Sequence, residues 1–216
     1  MRLKSISALI ILSIILAACS GLTTEEKMYE HMEESVQLES DFVAQQQPLS
    51  ALEQEEQSIY QQISELSMDQ YEEIASLAES AIASIEERRE LTDIEITSIQ
   101  ASKEEFDQIE PLIADLEDEE LQSIAEEMFA LMEERYQAFL SLHESYQTSL
   151  DYDIELYQLL MLEELEEADF TDQVNKVNEQ YQIVIDHNLA FNEATDSFNE
   201  LKREFYDQSE LNITYE

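Results

Sequence analysis

The chain has little of what bends or cross-links a polypeptide. Its 216 residues include one glycine, two prolines, one cysteine and no tryptophan. Sandwiches, barrels and doubly wound sheets need many tight turns, and the scarcity of glycine and proline argues against them. A single cysteine excludes a disulfide within the chain, so the folded state depends on its apolar core.

Basic residues are also scarce, with ten Lys and Arg against 52 Asp and Glu and a formal net charge of -42. So negative a surface repels the phosphates of nucleic acid, and we expect no nucleic-acid partner. The acidic residues alternate with apolar ones along the whole chain, unlike those of a disordered acidic tail. The abundance of Glu, Gln, Leu, Ile and Ala favours helix.

The first 18 residues have the pattern of a lipoprotein signal peptide. Arg2 and Lys4 form a basic start, and residues 8–16 form an apolar run too short to span a bilayer comfortably. Leu16-Ala17-Ala18-Cys19 then matches a lipobox. It predicts cleavage between Ala18 and Cys19, with a diacylglyceryl or acyl lipid such as palmitate on the Cys19 sulfur. The alternative is an ordinary signal peptide with an incidental cysteine.

This pattern divides the chain into a removed signal peptide at 1–18, a lipidated tether at 19–23 and an acidic helical domain at 24–216. It places the protein at the outer face of the cytoplasmic membrane, held there by its lipid. Thr23 and Glu26 have the spacing of a capping box, so the helical domain is expected to begin almost at the anchor.

Apolar residues recur at helical spacing over four long segments joined by short turns. We predict an all-α fold: an elongated antiparallel bundle of about four long helices with coiled-coil-like packing. A three-helix arrangement with a broken first helix is the alternative. The predicted helices run from about residue 24 to 66, from 70 to 109, from 121 to 167, and from about 172 toward the C-terminus.

The predicted turns follow the polar and proline signals. Ser67 and Gln70 form a second capping box, and Pro111 with the acidic residues 115–120 marks the next turn. Asp169 or Thr171 is expected to cap the last helix. Pro48 lacks a backbone donor, so we expect a kink there or a restart with Pro48 at the first helical position.

The last predicted helix carries the clearest coiled-coil seam, with two rows of residues seven apart. Arg88, Arg89 and Lys103 lie in or beside a second seam and are expected to pair with carboxylates. The apolar row of the last helix is Val177, Val184, Phe191, Phe198 and Phe205, and its companion row is Val174, Tyr181, Asn188, Thr195 and Lys202.

No motif of enzyme chemistry stands out. His143-Glu144 begins like a zinc-protease motif, but position 147 is Gln where the second His is needed. The acidic pairs lack the glycine turn of a calcium loop, and no nucleophile elbow or phosphate-binding glycine loop is present. We therefore predict no enzyme, and no catalytic, cofactor-binding or metal-binding residue.

The chain resembles the YkyA-like family of cell-wall-binding lipoproteins of Gram-positive bacteria. The likeness runs across nearly the whole mature chain. It implies a membrane-anchored, outward-facing helical protein associated with the cell wall, and it supplies no catalytic residues. The residues that carry it are Leu16-Ala17-Ala18-Cys19, residues 26–33, residues 45–49, Ile59-Tyr60, Met68-Asp69, residues 78–81 and residues 86–89.

From the anchor and the resemblance we expect a non-catalytic, extracytoplasmic helical module that binds peptidoglycan or another wall polymer. The strong negative charge opposes contact with anionic polymers unless divalent cations bridge the two. The alternative is a coiled-coil or chaperone-like surface lipoprotein that binds a protein partner and no wall polymer.

Overall fold

The computed structural model describes residues 21–209 and residue 211, and within them the fold is helical without strands. Ala18 and Cys19, the predicted cleavage and lipidation site, lie outside the described residues. Short 3-10 turns cover Met68–Gln70 and Asp107–Ile109. The helices are α1 (Thr24–Leu38), α2 (Ser40–Glu65), α3 (Tyr71–Phe106), α4 (Glu110–Ile113), α5 (Glu119–Leu160) and α6 (Glu167–Gln208).

Four long rods make up the bundle, because α1 and α2 together form the first of them. Along the chain α2 packs on α3, α3 on α5, and α5 on α6, while α1 also packs on α3. Short connections make these neighbours antiparallel. The 42 residues of α5 give an α-helix of about 63 Å at about 1.5 Å per residue. The predicted all-α, elongated, antiparallel bundle is confirmed.

Both predicted capping boxes are present. The Thr23 N–H donates to Glu26 Oε2 at 2.7 Å, and the Glu26 N–H donates to Thr23 Oγ1 at 3.2 Å. At the far end of the bundle the Ser67 N–H donates to Gln70 Oε1 at 3.3 Å. Each reciprocal bond satisfies backbone donors that the first turn of a helix leaves free, which fixes where the helix begins.

The break in the first rod lies at Glu39, and the expected restart at Pro48 was wrong. Pro48 lies inside α2, which begins at Ser40. Its side chain faces solvent, where water can hydrate the carbonyl that loses its donor, so the helix continues through it. Glu39 instead accepts bonds at 2.8 Å from both terminal nitrogens of Arg135, and one at 2.9 Å from Ser102 Oγ.

The last turn is also displaced from its predicted position. α5 ends at Leu160 and α6 begins at Glu167, so the turn comprises 161–166 and not 169–172. Glu166 precedes α6 without a side-chain cap. The Thr171 hydroxyl donates to the Glu167 carbonyl at 2.8 Å, a bond that a threonine makes inside a helix. That local alternative explains why a good capping residue does not mark the helix start.

The apolar core divides into two large clusters along the bundle. One lies at the end where α1 begins, and the other lies at the opposite end, beside the Ser67 turn. A row of α3 residues spaced seven apart is buried throughout and runs from one cluster to the other: Ile85, Thr92, Ile99 and Phe106. The near end therefore closes around α1, whereas the far end closes around the C-terminal part of α2.

Candidate functional site

The coiled-coil seam predicted on α6 is covered along only half of its length. Phe198 and Phe205 are buried in the same cluster as Met28 and Met32 of α1. The residues of the seam toward the start of α6, such as Val177 and Val184, are only partly buried. Because α1 ends at Leu38, no helix of the described chain extends its cover over them.

A cluster of three phenylalanines marks the point along α6 beyond which α1 no longer covers the seam. Phe42 of α2 meets Phe139 and Phe191 edge-on, with ring centroids 5.7 and 6.0 Å away. The break at Glu39 lies three residues before Phe42. From there α2 follows α3 while α6 follows α5, and a groove opens between the two outer helices.

This α2–α6 groove consists of two adjoining cavities of about 420 and 720 Å³. Ser50, Glu53, Tyr146 and Val184 line both cavities, so the groove is continuous. Its two walls each present a row with alternating spacings of three and four residues. The α2 wall is Phe42, Gln46, Leu49, Glu53, Glu56 and Tyr60, and the α6 wall is Val174, Val177, Tyr181, Val184 and Asn188.

The floor of the groove holds a polar network around Arg88, which is only 1% exposed to solvent. The guanidinium forms an ion pair with Glu56, and its Nη2 lies 3.7 Å from Asp153 Oδ2. Nη1 donates to the Tyr146 hydroxyl at 3.3 Å, and the Tyr181 hydroxyl donates to Asp153 at 2.6 Å. Arg88 Nε has no acceptor among the described residues. The network thus joins all four rods beneath the groove.

Burial raises the pKa of both carboxyls that face Arg88. Desolvation raises the pKa of Glu56 to about 7, although the Arg88 charge opposes it. Desolvation likewise raises the pKa of Asp153 to about 6, against the Tyr181 hydrogen bond and the Arg88 charge. The floor therefore takes up protons on mild acidification, in a range where ordinary surface carboxyls stay ionised.

Glu95 is a third buried carboxyl in the groove and the described residues offer it no ion pair. It is 7% exposed and accepts a hydrogen bond from Gln46 Nε2 at 2.6 Å. Burial raises its pKa to about 7, the amide opposes that rise, and the negative charge of Glu53 adds to it. Four carboxyls consequently face the groove with one guanidinium among the residues that the structure describes. Above about pH 7, where Glu56, Glu95 and Asp153 are ionised, the groove carries an excess of negative charge.

The rim of the groove on α6 is apolar and open to solvent. Ile185 and Leu189 line the groove and are 51% and 55% exposed. These two side chains are four residues apart, about one helical turn, and they extend the apolar strip of the α6 wall. A strip of exposed aliphatic residues beside a buried polar floor is typical of a binding surface.

No group of three or more metal-ligating side chains occurs in residues 21–209. His143, singled out from sequence, lines the groove half-buried, and burial lowers its pKa, with Asp93 opposing. None of the helices within the described range is long and apolar enough to cross a bilayer.

The predicted pairing of the basic residues is confirmed. Besides the Arg88 pairs, Arg89 lies 2.7 Å from Asp151, and Lys103 Nζ lies 2.6 and 3.0 Å from Asp107 and Glu133. The groove itself was missed from sequence. The signal was present in the α2 wall, where polar residues occupy positions with coiled-coil spacing, but spacing alone does not show that another helix leaves them uncovered.

Three comparisons relate this chain to known proteins. The sequence model of a family described as "Putative cell-wall binding lipoprotein" matches residues 23–208. The "Uncharacterized lipoprotein YkyA" of Bacillus subtilis strain 168 is 26% identical over 202 residues, which cover 94% of this chain and 91% of that protein. A crystal structure of a conserved protein of unknown function from Staphylococcus aureus matches with a TM-score of 0.74 at 9% identity, covering 87% of this chain and 98% of that one. The last likeness concerns the fold alone.

Proposed function

The chain belongs to the YkyA family of lipoproteins, and from that premise we propose that it is a lipid-anchored, non-catalytic binding module at the cell wall. The anchor is the lipid on Cys19, after cleavage behind Ala18. The observation that supports the binding role most directly is the open α2–α6 groove, continuous over two cavities.

The groove lies far enough along the bundle for the protein to bind a ligand at a distance from the bilayer. The capped start of α1 at Thr23 follows Cys19 by four residues, so a bundle standing upright places its near end at the membrane. The groove begins at Phe42, roughly 28 Å further along at about 1.5 Å per residue. The far turns would lie about 60 Å from the anchor by the same measure. Groove and tip would both face the wall.

Wall binding is tested by co-sedimentation of the purified domain with cell-wall sacculi, with and without magnesium. The acidic body repels anionic polymers, so we expect more protein in the pellet when magnesium is present to bridge the charges. No binding in either condition would refute the wall-binding part of the proposal. Binding that is equal with and without magnesium would support an uncharged wall component as the ligand.

A second function, capture of a protein partner, is favoured by one observation: the uncovered half of the α6 seam. The apolar residues of a coiled-coil seam are normally covered by a partner helix. A strip of such residues left exposed to solvent therefore indicates an interface. Crosslinking in intact cells separates the two functions. Glycan adducts would support wall binding, and protein adducts would support a partner.

A further inference from the structure

We infer that the α2–α6 groove is the docking site for a basic amphipathic helix of a partner protein. This deepens the partner-binding form of the proposed function and depends on the groove being the binding surface. The groove extends from Phe42 to Tyr60, about 27 Å or five helical turns.

The shape of the walls indicates a helix. Successive positions on both walls alternate between three and four residues apart, which is the pattern that receives the knobs of a facing helix. The near half of the bundle provides the precedent, because α1 contributes Met28 and Met32 there to the same apolar cluster as Phe198 and Phe205 of α6, and the Tyr29 and Tyr206 rings lie 5.3 Å apart. A docked helix would continue along the groove the role that α1 has nearer the anchor.

The charge of the groove indicates that this helix is basic. Four carboxyls face the groove, at Glu53, Glu56, Glu95 and Asp153, and within the described part of the chain Arg88 is the one Lys or Arg that lines it. Lysine or arginine side chains on the α2-facing side of a partner would neutralise this excess. The aliphatic residues of the partner would cover the apolar rim of α6. Such two-sided complementarity fixes both register and orientation.

The same charge disfavours a second copy of this chain as the occupant. Each copy carries a formal net charge of -42, and the carboxyls of one groove would face an equally acidic helix. Like charges brought together in an interface are strongly unfavourable. We therefore expect the protein alone to sediment as a monomer. A dimer that dissociates when the peptide probe described below is added would overturn the inference.

Binding of synthetic peptides to the full mature lipoprotein in detergent micelles tests the inference. The probe is a fluorescent 21-residue peptide with leucine at the seam positions and lysine beside them. Two peptides serve as comparisons: a scrambled one of the same composition, and a twin with glutamate in place of lysine. Fluorescence anisotropy should show the probe binding at least about tenfold more tightly than the scrambled peptide, since the apolar stripe is lost in the latter. The glutamate twin should not bind.

Matched variants locate the site, and all of them change exposed residues, so the fold is preserved. Leu189→Ser in the groove should weaken binding about tenfold, because an interface aliphatic is lost. Ile94→Ser, on α3 and away from the groove, should have no effect. Glu53→Gln should weaken binding about three- to fivefold, the range of a partly exposed ion pair, whereas Glu55→Gln two residues along should not.

Equal binding of probe and scrambled peptide would show that only the bulk negative charge attracts them, and would overturn the inference. Equal effects of Glu53→Gln and Glu55→Gln would overturn it as well. Displacement of the probe by soluble wall-glycan fragments would assign the groove to a wall polymer instead. Co-sedimentation with sacculi is read separately, so a failure of wall binding remains distinguishable from a failure of helix docking.

Discussion

Replacement of Glu95 by glutamine should stabilise the protein at pH 8 and change little at pH 5. Glu95 is 7% exposed, and the described chain provides no cation beside it. Its pKa is raised by burial from an ordinary value of 4.5 to about 7. At about 1.4 kcal/mol for each pKa unit, that rise corresponds to about 3 kcal/mol of destabilisation once the carboxyl is ionised.

The sign follows from which state holds the proton more tightly. Between about pH 4.5 and 7 the folded carboxyl keeps a proton that the unfolded one has lost, so stability falls as the pH rises through this window. Glutamine is neutral throughout and can accept the same bond from Gln46. We therefore expect Glu95→Gln to gain about 2 to 3 kcal/mol at pH 8 and less than about 1 kcal/mol at pH 5.

The assay is thermal and urea denaturation followed by circular dichroism at both pH values. For a chain of this size, a change of about 1 kcal/mol in stability moves the melting temperature by about 2 to 4 °C. We therefore expect Glu95→Gln to raise the melting temperature by about 5 °C or more at pH 8. Glu90→Gln, an exposed carboxyl on the same helix, corrects for the loss of one negative charge from a very acidic body. If Glu95→Gln were no more stable than Glu90→Gln at pH 8, or gained as much at pH 5, the reasoning would be refuted.

Three further predictions concern the anchor and the two buried guanidinium groups. Cys19→Ala should move the protein out of the membrane fraction while its circular dichroism stays helical. Glu39→Gln leaves the buried Arg135 without its counter-charge, and should cost about 2 to 4 kcal/mol in urea denaturation. Arg88→Met deprives two buried carboxyls of their cation, and should destabilise more at pH 8, where both are ionised in the unsubstituted protein, than at pH 5, in thermal melts.

Each of these has a result that contradicts it. A Cys19→Ala protein that stays with the membrane would disprove lipid anchoring. Glu34→Gln, an exposed neighbour on α1, is the control for Glu39→Gln, and equal losses would show that the Arg135 pair is not special. A loss from Arg88→Met that is the same at pH 5 and pH 8 would indicate lost packing alone, with no electrostatic part.

Local signals predicted the helices well where the deciding contacts are themselves local. The capping boxes at Thr23 and Ser67 involve residues three apart, and both marked a helix start correctly. The prediction from Pro48 was wrong because the contact that decides the break in the first rod is not local. Pro48 faces solvent and is tolerated within α2, whereas the break at Glu39 is held by Arg135, 96 residues away in sequence. No local pattern contains that pair.

The groove shows the same limit at the level of the site. Heptad spacing correctly identified the seam of α6, from Val177 to Phe205, but spacing does not reveal which helix covers it. Whether the α6 seam is covered depends on the direction that α2 takes after Glu39. Glu95 could not be distinguished from the solvated carboxyls, because among 52 acidic residues only burial separates it from the rest.

The break at Glu39 also determines how mechanical tension would travel through the bundle. A pull on the lipid end enters α1, which is fastened to α6 by Glu33, through a bond of 2.8 Å from Tyr206 and an ion pair of 3.1 Å with Lys202. At Glu39 the Arg135 pair passes that force sideways into α5. α2 begins at Ser40, beyond this junction, so these contacts divert force into α6 and α5 before it reaches α2. Movements of the membrane relative to the wall would therefore load the α6 wall of the groove more directly than its α2 wall.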